Sequence, residues 1–227
     1  PMEELGAAVK KKGYLLVVDV SQSAGCVAVE GDKWQADILI VTGHKSLLGL
    51  QGTGGIYISP ALDIKPLKYG GTGKDSEKLV YQAGEYEYEP GTQNVAGIMA
   101  LGVGADYVLN IGVENIHKGE QKKISWLLQE MSRIKGVQLY GPEIDEDRGP
   151  LIGFNMEGLS ASELAYLLTY GYEIVVRAGL QCAPLMHSSL GTDSFGLVRV
   201  SISHMTKMEE LVIFVNALKE ISRNLMI

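Results

Sequence analysis

The sequence predicts an α/β fold in its first half and a smaller α+β region in its second half, on three observations. Apolar runs at residues 14–20, 37–42 and 55–59 are typical of buried strands in a mainly parallel sheet. Gly-rich loops separate these runs, and in such sheets the loops that bind ligands gather at one edge. Beyond residue 110, short strands alternate with capped helices instead.

The first helical pattern opens at Pro1, a residue favoured in the first turn of a helix. Lys10, Lys11 and Lys12 follow where a helix C-terminus favours positive charge, and Gly13 is expected to end the helix. This helix therefore leads directly into the first strand, as expected of an α/β unit.

Two long helices are predicted at residues 95–109 and 113–134, each with an apolar stripe at helical spacing. The stripe of the first consists of Ile98, Leu101, Ala105 and Val108. Short strands are then expected at residues 137–140, 151–156, 173–177 and 198–203. The change of pattern places the domain boundary after residue 110, which gives domains of residues 1–110 and 111–227.

Two helices of the second region carry the sequence pattern of a capping box. Ser160 is followed by Glu163, and Thr206 is followed by Glu209. In this pattern the hydroxyl and the carboxylate each accept a backbone N–H at the start of the helix. The two pairs therefore predict where these helices begin.

The composition excludes several classes of partner. The 227 residues carry a net charge of −7, and the longest basic run is residues 10–12, so we expect neither nucleic acid nor an anionic membrane as a partner. No apolar run approaches the roughly 20 residues of a membrane span. Two cysteines, Cys26 and Cys182, fit a reducing compartment, and we expect the cytoplasm. We expect no metal site.

An acid and a lysine stand near the ends of neighbouring strands. Asp19 ends the first apolar run, and Lys45 lies in the Gly-flanked loop after the second. This arrangement fits a surface ion pair. It also fits a lysine that carries pyridoxal 5'-phosphate as a Schiff base, facing an anion that keeps the pyridine nitrogen protonated, although the two residues alone are weak evidence for it.

Longer strings favour the second interpretation. VVDVSQSAG (17–25), ADILIVTGHKSLLGLQGTGGIYIS (36–59), EPGTQNVAGIMAL (89–101), VRAGLQCAP (176–184) and VRVSIS (198–203) occur in this order. Together they resemble the class V aminotransferases of fold type I, and within them the cysteine desulfurase-like proteins. The resemblance implies that residues 1–110 are the C-terminal part of a large domain that binds pyridoxal phosphate. It implies that residues 111–227 are the small C-terminal domain.

The resemblance also implies cofactor contacts. Asp19 is expected to hold the pyridinium nitrogen, and Gln22 to hydrogen-bond the ring hydroxyl. Thr42 and His44 are expected at the phosphate, and Lys45 forms the Schiff base. A sixth residue, Thr92, is similar to the family residue that reaches the phosphate of the partner subunit's cofactor, which implies a homodimer with a shared active site. Its alternative interpretation is a helix N-cap.

Cys182 defines the subfamily. A cysteine before Ala-Pro, taken alone, is more often a small buried hydrophobe. The motif RAGLQC (177–182) resembles the desulfurase loop whose cysteine attacks the substrate's sulfur, and the nearby Arg177 would favour the reactive thiolate. Cys26, His117, His187 and His204 are expected to be packing or surface residues.

Arginines are the expected substrate contacts. Arg199, on the last predicted strand, is either a cross-strand ion-pair partner or a bidentate clamp for an amino-acid carboxylate, a geometry that suits a guanidinium. The resemblance favours the clamp and adds Arg177 to the substrate-binding residues.

Two departures from the family pattern stand out. Gln181 occupies the position before the cysteine where many desulfurases carry a histidine, so a proton-transfer role there would be lost. Family residues that stack on the ring and complete the phosphate site lie upstream of a segment like PMEELG (1–6). We therefore expect this chain to be the C-terminal part of a longer enzyme.

The expected activity is conversion of L-cysteine to L-alanine, with sulfur held as a persulfide on Cys182 and passed to an acceptor protein. One alternative is a selenocysteine lyase, a cysteine sulfinate desulfinase or another class V aminotransferase. The alternative from another class is a truncated, non-catalytic fragment.

Overall fold

The computed structural model describes residues 1–71, 88–142 and 148–225. The chain divides into two compact units, Pro1–Val113 and Glu114–Ile227. In chain order the elements are α1 (Met2–Lys11), β1 (Val17–Asp19), β2 (Ile38–Thr42), β3 (Gly54–Ile58), α2 (Val95–Ile111), α3 (Val113–Ser132), β4 (Val137–Tyr140), β5 (Leu151–Met156), α4 (Ala161–Tyr172), β6 (Arg177–Gly179), α5 (Pro184–Leu190), β7 (Leu197–Ser201) and α6 (Met208–Asn224). The predicted α/β class is confirmed.

The sheet of the first unit has the order β1-β2-β3. β1 and β2 are parallel, as predicted, whereas β3 runs antiparallel to β2. The described sheet is therefore mixed, which corrects the expectation of a mainly parallel sheet at β3. The reason is the connection after β2, since residues 43–53 are too few for the crossover that parallel neighbours need.

Helix α2 packs closely through two glycines, with part of the predicted apolar stripe beside them. Its buried residues are Gly97, Gly104 and Val108, whereas Ile98 is 49% exposed. A Cβ at Gly104 would lie 2.2 Å from the carbonyl oxygen of Leu47. Only a glycine allows the helix to approach the loop after β2 this closely. Of the four predicted stripe residues, Val108 is buried, Leu101 and Ala105 are half-buried, and only Ile98 was predicted wrongly.

The second unit is an antiparallel sheet of order β4-β5-β7-β6 packed with helices. Its core contains Phe154 and Phe214, whose rings meet edge to face at 5.9 Å. Leu164 and Leu168 of α4 are fully buried in the same core. The shared core explains why α4 and α6 hold one position on the sheet.

The predicted strand at 173–177 was wrong, and β6 covers Arg177–Gly179 instead. Glu173 takes a left-handed conformation with φ of 57° and ends α4. The N–H of Ile174 then donates to the Leu168 carbonyl. Ile174 is therefore part of the helix cap and not yet part of a strand. The strand therefore begins only after this cap.

One predicted capping box is confirmed, and at α6 only the carboxylate half of a capping box forms, one residue later than predicted. Ser160 and Glu163 exchange the expected hydrogen bonds at the start of α4. At α6 the N–H of Lys207 donates to the Glu210 carboxylate at 2.7 Å. Thr206 instead accepts a hydrogen bond from the N–H of Ser203, at 3.0 Å, and so closes the preceding turn.

Helix length and apolar composition decide whether a segment of the described residues could span a membrane. No single helix there is both long and apolar enough to cross a bilayer, while α2 and α3 meet the criterion of length and composition only as a pair bent by 76°.

A carboxyl group on α3 is buried. Glu120 has 3% of its surface exposed, and burial raises the pKa of its carboxyl above the ordinary 4.5, against the opposing effects of the His204 backbone and the Lys123 charge. The Lys123 ammonium donates to the carbonyls of Ser203 and His204 at 3.1 and 2.8 Å. Glu120 Oε2 has no hydrogen-bond partner within the described ranges. Ionised Glu120 therefore costs folding free energy.

We predict that Glu120→Gln removes a pH-dependent penalty on folding. Because the folded-state pKa is raised, the penalty is absent below the unfolded-state pKa and develops as the pH rises through the folded-state value. Urea unfolding from about pH 4 to about pH 8 measures it. The unfolding free energy of the wild type should fall relative to the variant as the pH rises.

The control is Glu114→Gln, a change at a carboxylate on the same helix whose side chain is 80% exposed. This variant should follow the wild-type pH profile. Parallel profiles for wild type and Glu120→Gln would contradict the assignment.

Candidate active site

The first cluster lies at one edge of the first sheet. Parallel pairing aligns Asp19 with Ile40, two residues before Thr42 at the end of β2. The ends of β1 and β2 therefore reach the same edge of the sheet, where ligands bind in α/β folds. His44 and Lys45 follow Thr42 after one glycine, so the predicted cofactor residues of both strands share this edge.

The surroundings of Asp19 stabilise its ionised carboxylate. The hydroxyl of Ser21 and its N–H, the latter at 2.9 Å, hydrogen-bond the carboxylate and hold the pKa of Asp19 below its ordinary value. The positive charge of Lys45 acts in the same direction. Asp19 is therefore ionised at neutral pH. The Asp-x-Ser pattern at a strand end was a readable signal of this turn, but the prediction did not include Ser21.

The loop that carries Lys45 is fixed from within. Gly43 N–H donates to the Thr53 carbonyl at 2.9 Å, and Gly49 N–H donates to the Gly43 carbonyl at 2.8 Å. A Cβ at Gly25 would lie 2.6 Å from the carbonyl oxygen of Ser46, so the turn after β1 packs tightly on this loop. The backbone therefore sets the distance between the Gln22 turn and Lys45.

The side chains of this edge fit pyridoxal phosphate. Thr42 Oγ1 and His44 Nδ1 lie 3.1 Å apart, which joins a hydroxyl and an imidazole in one polar group suited to a phosphate. Gln22 and His44 are exposed, and Lys45 is half-buried. The cofactor requires an amine, an ionised acid and hydrogen-bond donors for its phosphate, and this edge of the sheet carries all three.

Thr92 is not the N-cap of α2. The cap is Asn94, whose side-chain oxygen accepts from the N–H of Gly97 at 3.1 Å. Thr92 lies two residues earlier, and it is exposed. The alternative interpretation of Thr92 is therefore wrong, and its cofactor role stays a prediction.

The second cluster is built around Cys182 in the second unit. The guanidinium of Arg177 donates to Cys182 Sγ at 2.9 Å, and the cysteine is exposed. A charged donor at this distance stabilises negative charge on sulfur. The thiol therefore has the surroundings of a nucleophile and not those of a buried hydrophobe.

Cys182 sits in a turn with unusual backbone geometry. Ala183 N–H donates to the Leu180 carbonyl at 2.8 Å, and the two residues between them, Gln181 and Cys182, have φ of 56° and 62°. Positive φ at both central positions is the pattern of a type I′ turn, which normally selects Gly, Asn or Asp. The sequence signal for such a turn was absent, so it was not predicted.

Arg177 and Arg199 face each other across β6 and β7. They are directly paired in the register, and like charges placed opposite each other are unfavourable unless an anion lies with them. Burial, together with the charge of Arg177, lowers the pKa of Arg199. Arg199 Nε is buried and lacks a partner among the residues the structure describes. The pair therefore suits a carboxylate.

Cys26 in the first unit and His187 in the second are both buried packing residues. Cys26 is 1% exposed, and its sulfur contacts the carbonyls of Gln22 and Ser23 at 3.3 and 3.4 Å. His187 on α5 is 2% exposed, and its Nδ1 lies 2.8 Å from Thr192 Oγ1. His187 thus fixes the helix after the Cys182 turn. The described residues contain no cluster of three metal-ligating side chains.

Comparison with known proteins identifies the family to which this fold belongs. The model of the family "Aminotransferase class-V" matches residues 1–214, and the chain belongs to this family. The family depends on pyridoxal phosphate. This finding confirms the resemblance that the sequence motifs predict.

Relatives resemble the chain over nearly its whole length. A probable cysteine desulfurase from Pyrococcus abyssi is 33% identical over 229 residues, which cover 99% of this chain and 56% of the relative. The cysteine desulfurase of Cronobacter sakazakii is 33% identical over 193 residues, which cover 82% and 46%. The chain therefore spans about half the length of the curated relatives it matches.

Two solved structures share this fold. The apo structure of a cysteine desulfurase from Thermococcus onnurineus NA1 superposes with a TM-score of 0.85 at 28% identity, over 98% of this chain and 56% of that one. The cysteine desulfurase CsdA from Escherichia coli gives a TM-score of 0.87 at 21% identity, over 99% and 55%, and supports the fold alone.

We predict that Gly104→Ala destabilises the first unit, because the added Cβ meets the Leu47 carbonyl in the Lys45 loop. Overpacking of this kind costs about 1–3 kcal/mol of unfolding free energy, measured by urea unfolding. Gly102→Ala on the same helix is the control, since no described atom lies within 4 Å of its added Cβ. That variant should gain about 0.5–1 kcal/mol from helix propensity. Equal stability of both variants would contradict the close approach.

We predict that a simple carboxylate binds the arginine pair. Sodium propanoate, compared with sodium chloride at equal ionic strength, should raise Tm by roughly 2–4 °C at about ten times its Kd. Arg199→Gln should lose this increase, whereas Arg223→Gln, a change at an exposed residue of α6, should keep it. An equal rise in both variants would show that the effect does not involve the pair.

Proposed function

We propose that the protein acts as a pyridoxal phosphate-dependent cysteine desulfurase, which converts L-cysteine to L-alanine and holds the sulfur as a persulfide on Cys182. The observation that carries the proposal is the 2.9 Å contact between Arg177 and the sulfur of an exposed cysteine. Relatives named cysteine desulfurase support the same assignment.

Residues of the first cluster would hold the cofactor. Asp19, kept ionised by Ser21, would hold a proton on the ring nitrogen, and Gln22 would donate to the ring hydroxyl. Phosphate contacts are assigned to Thr42, His44 and Thr92, and the covalent link to Lys45. Once bound, pyridoxal phosphate would supply an electron-withdrawing ring.

Lys45 and the arginines would act on the substrate directly. The Lys45 amine would move the proton at Cα, because it lies at the sheet edge assigned to the cofactor and an amine can accept and return a proton. Arg199, with Arg177 beside it, binds the carboxylate, because the two positive charges lie directly opposite on β6 and β7. Binding at this end orients the substrate's sulfur.

Cys182 would take the sulfur as a thiolate. Its sulfur attacks the substrate's Sγ, so an S–S bond forms while the Cβ–S bond breaks. The bonding electron pair stays with Cβ, which is then protonated, and alanine leaves. Arg177 stabilises the thiolate before the attack. A sulfur-acceptor protein would collect the persulfide sulfur from the exposed turn.

Further assignments belong to the same proposal. Residues 1–110 would be the C-terminal part of the large cofactor-binding domain, and residues 111–227 the small domain. The enzyme would be a cytoplasmic homodimer in which Thr92 reaches the partner's cofactor. The exposure of Thr92 supports this last assignment, because a residue that serves another subunit must be accessible.

A second candidate is a selenocysteine lyase or cysteine sulfinate desulfinase. The observation that favours it is Gln181, a side chain without a titratable proton beside the proposed nucleophile Cys182. Selenium and sulfinate groups leave without a persulfide, so these reactions do not require a thiolate at residue 182.

Product analysis of Cys182→Ala separates the two candidates. For a desulfurase, the variant should lose about a hundredfold or more of the sulfur release from L-cysteine, as expected when a covalent nucleophile is removed. Its alanine production from cysteine sulfinate should remain near the wild-type rate. Cys26→Ala, a change at the buried thiol, is the matched control and should keep both activities. Normal sulfur release by Cys182→Ala would refute the persulfide role.

The fragment alternative is tested by colour. An enzyme with cofactor on Lys45 should be yellow, and borohydride should remove the visible absorbance, while Lys45→Ala should be colourless. A wild-type protein that stays colourless after incubation with added pyridoxal phosphate would favour a non-catalytic fragment.

A further inference from the structure

We infer that Gln181 is a positioning residue: its carboxamide fastens the turn that carries Cys182 to strands β6 and β7, and so keeps the sulfur against Arg177. The inference rests on the proposed function, because it gives Cys182 the role of nucleophile. It assigns Gln181 a task different from the proton transfer that a histidine would perform at this position.

The backbone of the turn needs an external restraint. Gln181 and Cys182 both have positive φ, a backbone conformation that is unfavourable for residues other than Gly, Asn and Asp. One backbone hydrogen bond, from Ala183 N–H to the Leu180 carbonyl, closes the turn. Two adjacent disfavoured residues persist only where surrounding contacts hold them.

The side chain of Gln181 supplies those contacts. Its Nε2 lies 3.1 Å from the Arg177 carbonyl oxygen, 3.2 Å from that of Gly179 and 3.0 Å from that of Leu197. Arg177 and Gly179 belong to β6, and Leu197 begins β7. One amide group therefore joins the turn to both strands.

The three carbonyls also fix which way the amide points. Carbonyl oxygens accept hydrogen bonds and never donate, so only the NH₂ end of the carboxamide suits this position. The Oε1 end is left buried, without a hydrogen-bond partner in the described part of the chain. Leaving Oε1 unpaired is unfavourable, yet the side chain keeps its NH₂ group on the strand carbonyls. This indicates that the role of Gln181 is to fasten the turn.

Fastening the turn has a consequence for the sulfur. Arg177 starts β6, and its guanidinium must meet Cys182 five residues later, at 2.9 Å. Gln181 holds the Arg177 backbone through its carbonyl and holds Cys182 through the adjoining peptide. If the carboxamide is removed, the turn relaxes toward negative φ and the sulfur moves away from the guanidinium.

The experiment measures alkylation of Cys182 by iodoacetamide in the full chain at fixed neutral pH, with the labelled peptide quantified by mass spectrometry. Buried Cys26 serves as an internal reference. Gln181→Leu keeps the approximate size of the side chain and removes the donors. It should slow alkylation about fivefold, the order expected from the loss of a charged hydrogen-bond donor to sulfur.

Two further variants separate fastening from backbone strain. Gln181→Gly relieves the positive φ and therefore folds, yet it lacks the carboxamide and should also react slowly. Gln181→His keeps one ring N–H donor and should restore most of the wild-type rate. Gln138→Leu, at an exposed residue of β4, is the matched control and should leave the rate unchanged.

A double-mutant cycle tests whether Gln181 acts through Arg177. In an Arg177→Gln background, Gln181→Leu should have almost no additional effect, because the contact that it preserves is already gone. A fivefold effect in both backgrounds would overturn the inference. So would a wild-type rate in Gln181→Gly.

Failure of this inference can be told apart from failure of the proposed function, because alkylation requires neither cofactor nor turnover. A protein without desulfurase activity can still show the coupling between Gln181 and Arg177. An active desulfurase whose alkylation rate ignores both substitutions would keep its function and lose only this assignment.

Discussion

Parallel pairing of β1 with β2 is the constraint on which the chemistry of the first unit depends. It brings Asp19 and the Thr42–Lys45 segment to one sheet edge, although they are more than 20 residues apart in sequence. The pairing alone would leave the Lys45 loop free to move. Glycines remove that freedom, because Gly25 and Gly104 let the turn after β1 and helix α2 approach the loop to distances that no other residue permits.

In the second unit, antiparallel strands bring the candidate site residues together. The register of β6 and β7 sets Arg177 against Arg199, an unfavourable arrangement for folding that becomes useful when an anionic substrate binds. The turn after β6 adds strain at Gln181 and Cys182. Both features cost stability where the proposed function needs charge and an exposed sulfur, a pattern expected of active sites.

Most of the helices and strands could be predicted from the sequence, because apolar runs mark strands and apolar stripes mark helices. The burial expected for the strands of the first sheet was wrong, since Val17 is 51% exposed and Ile56 is 57% exposed. The close packing of α2 through Gly97 and Gly104 could not be predicted, since it depends on a distant loop. The antiparallel β3 and the late start of β6 depend on connection length and on the helix cap at Glu173. The contacts of Gln181 join segments 16 residues apart and leave no local pattern.

The central claim is that Lys45 carries the cofactor, and mapping of the reduced adduct tests it most directly. The protein is incubated with pyridoxal phosphate at limiting concentration, reduced with borohydride and digested, and the pyridoxyl-lysine is located by mass spectrometry. The account predicts that the adduct is concentrated on Lys45, and that Asp19→Asn weakens this preference. An adduct spread over surface lysines such as Lys11 and Lys12, with Lys45 unmodified, would contradict it.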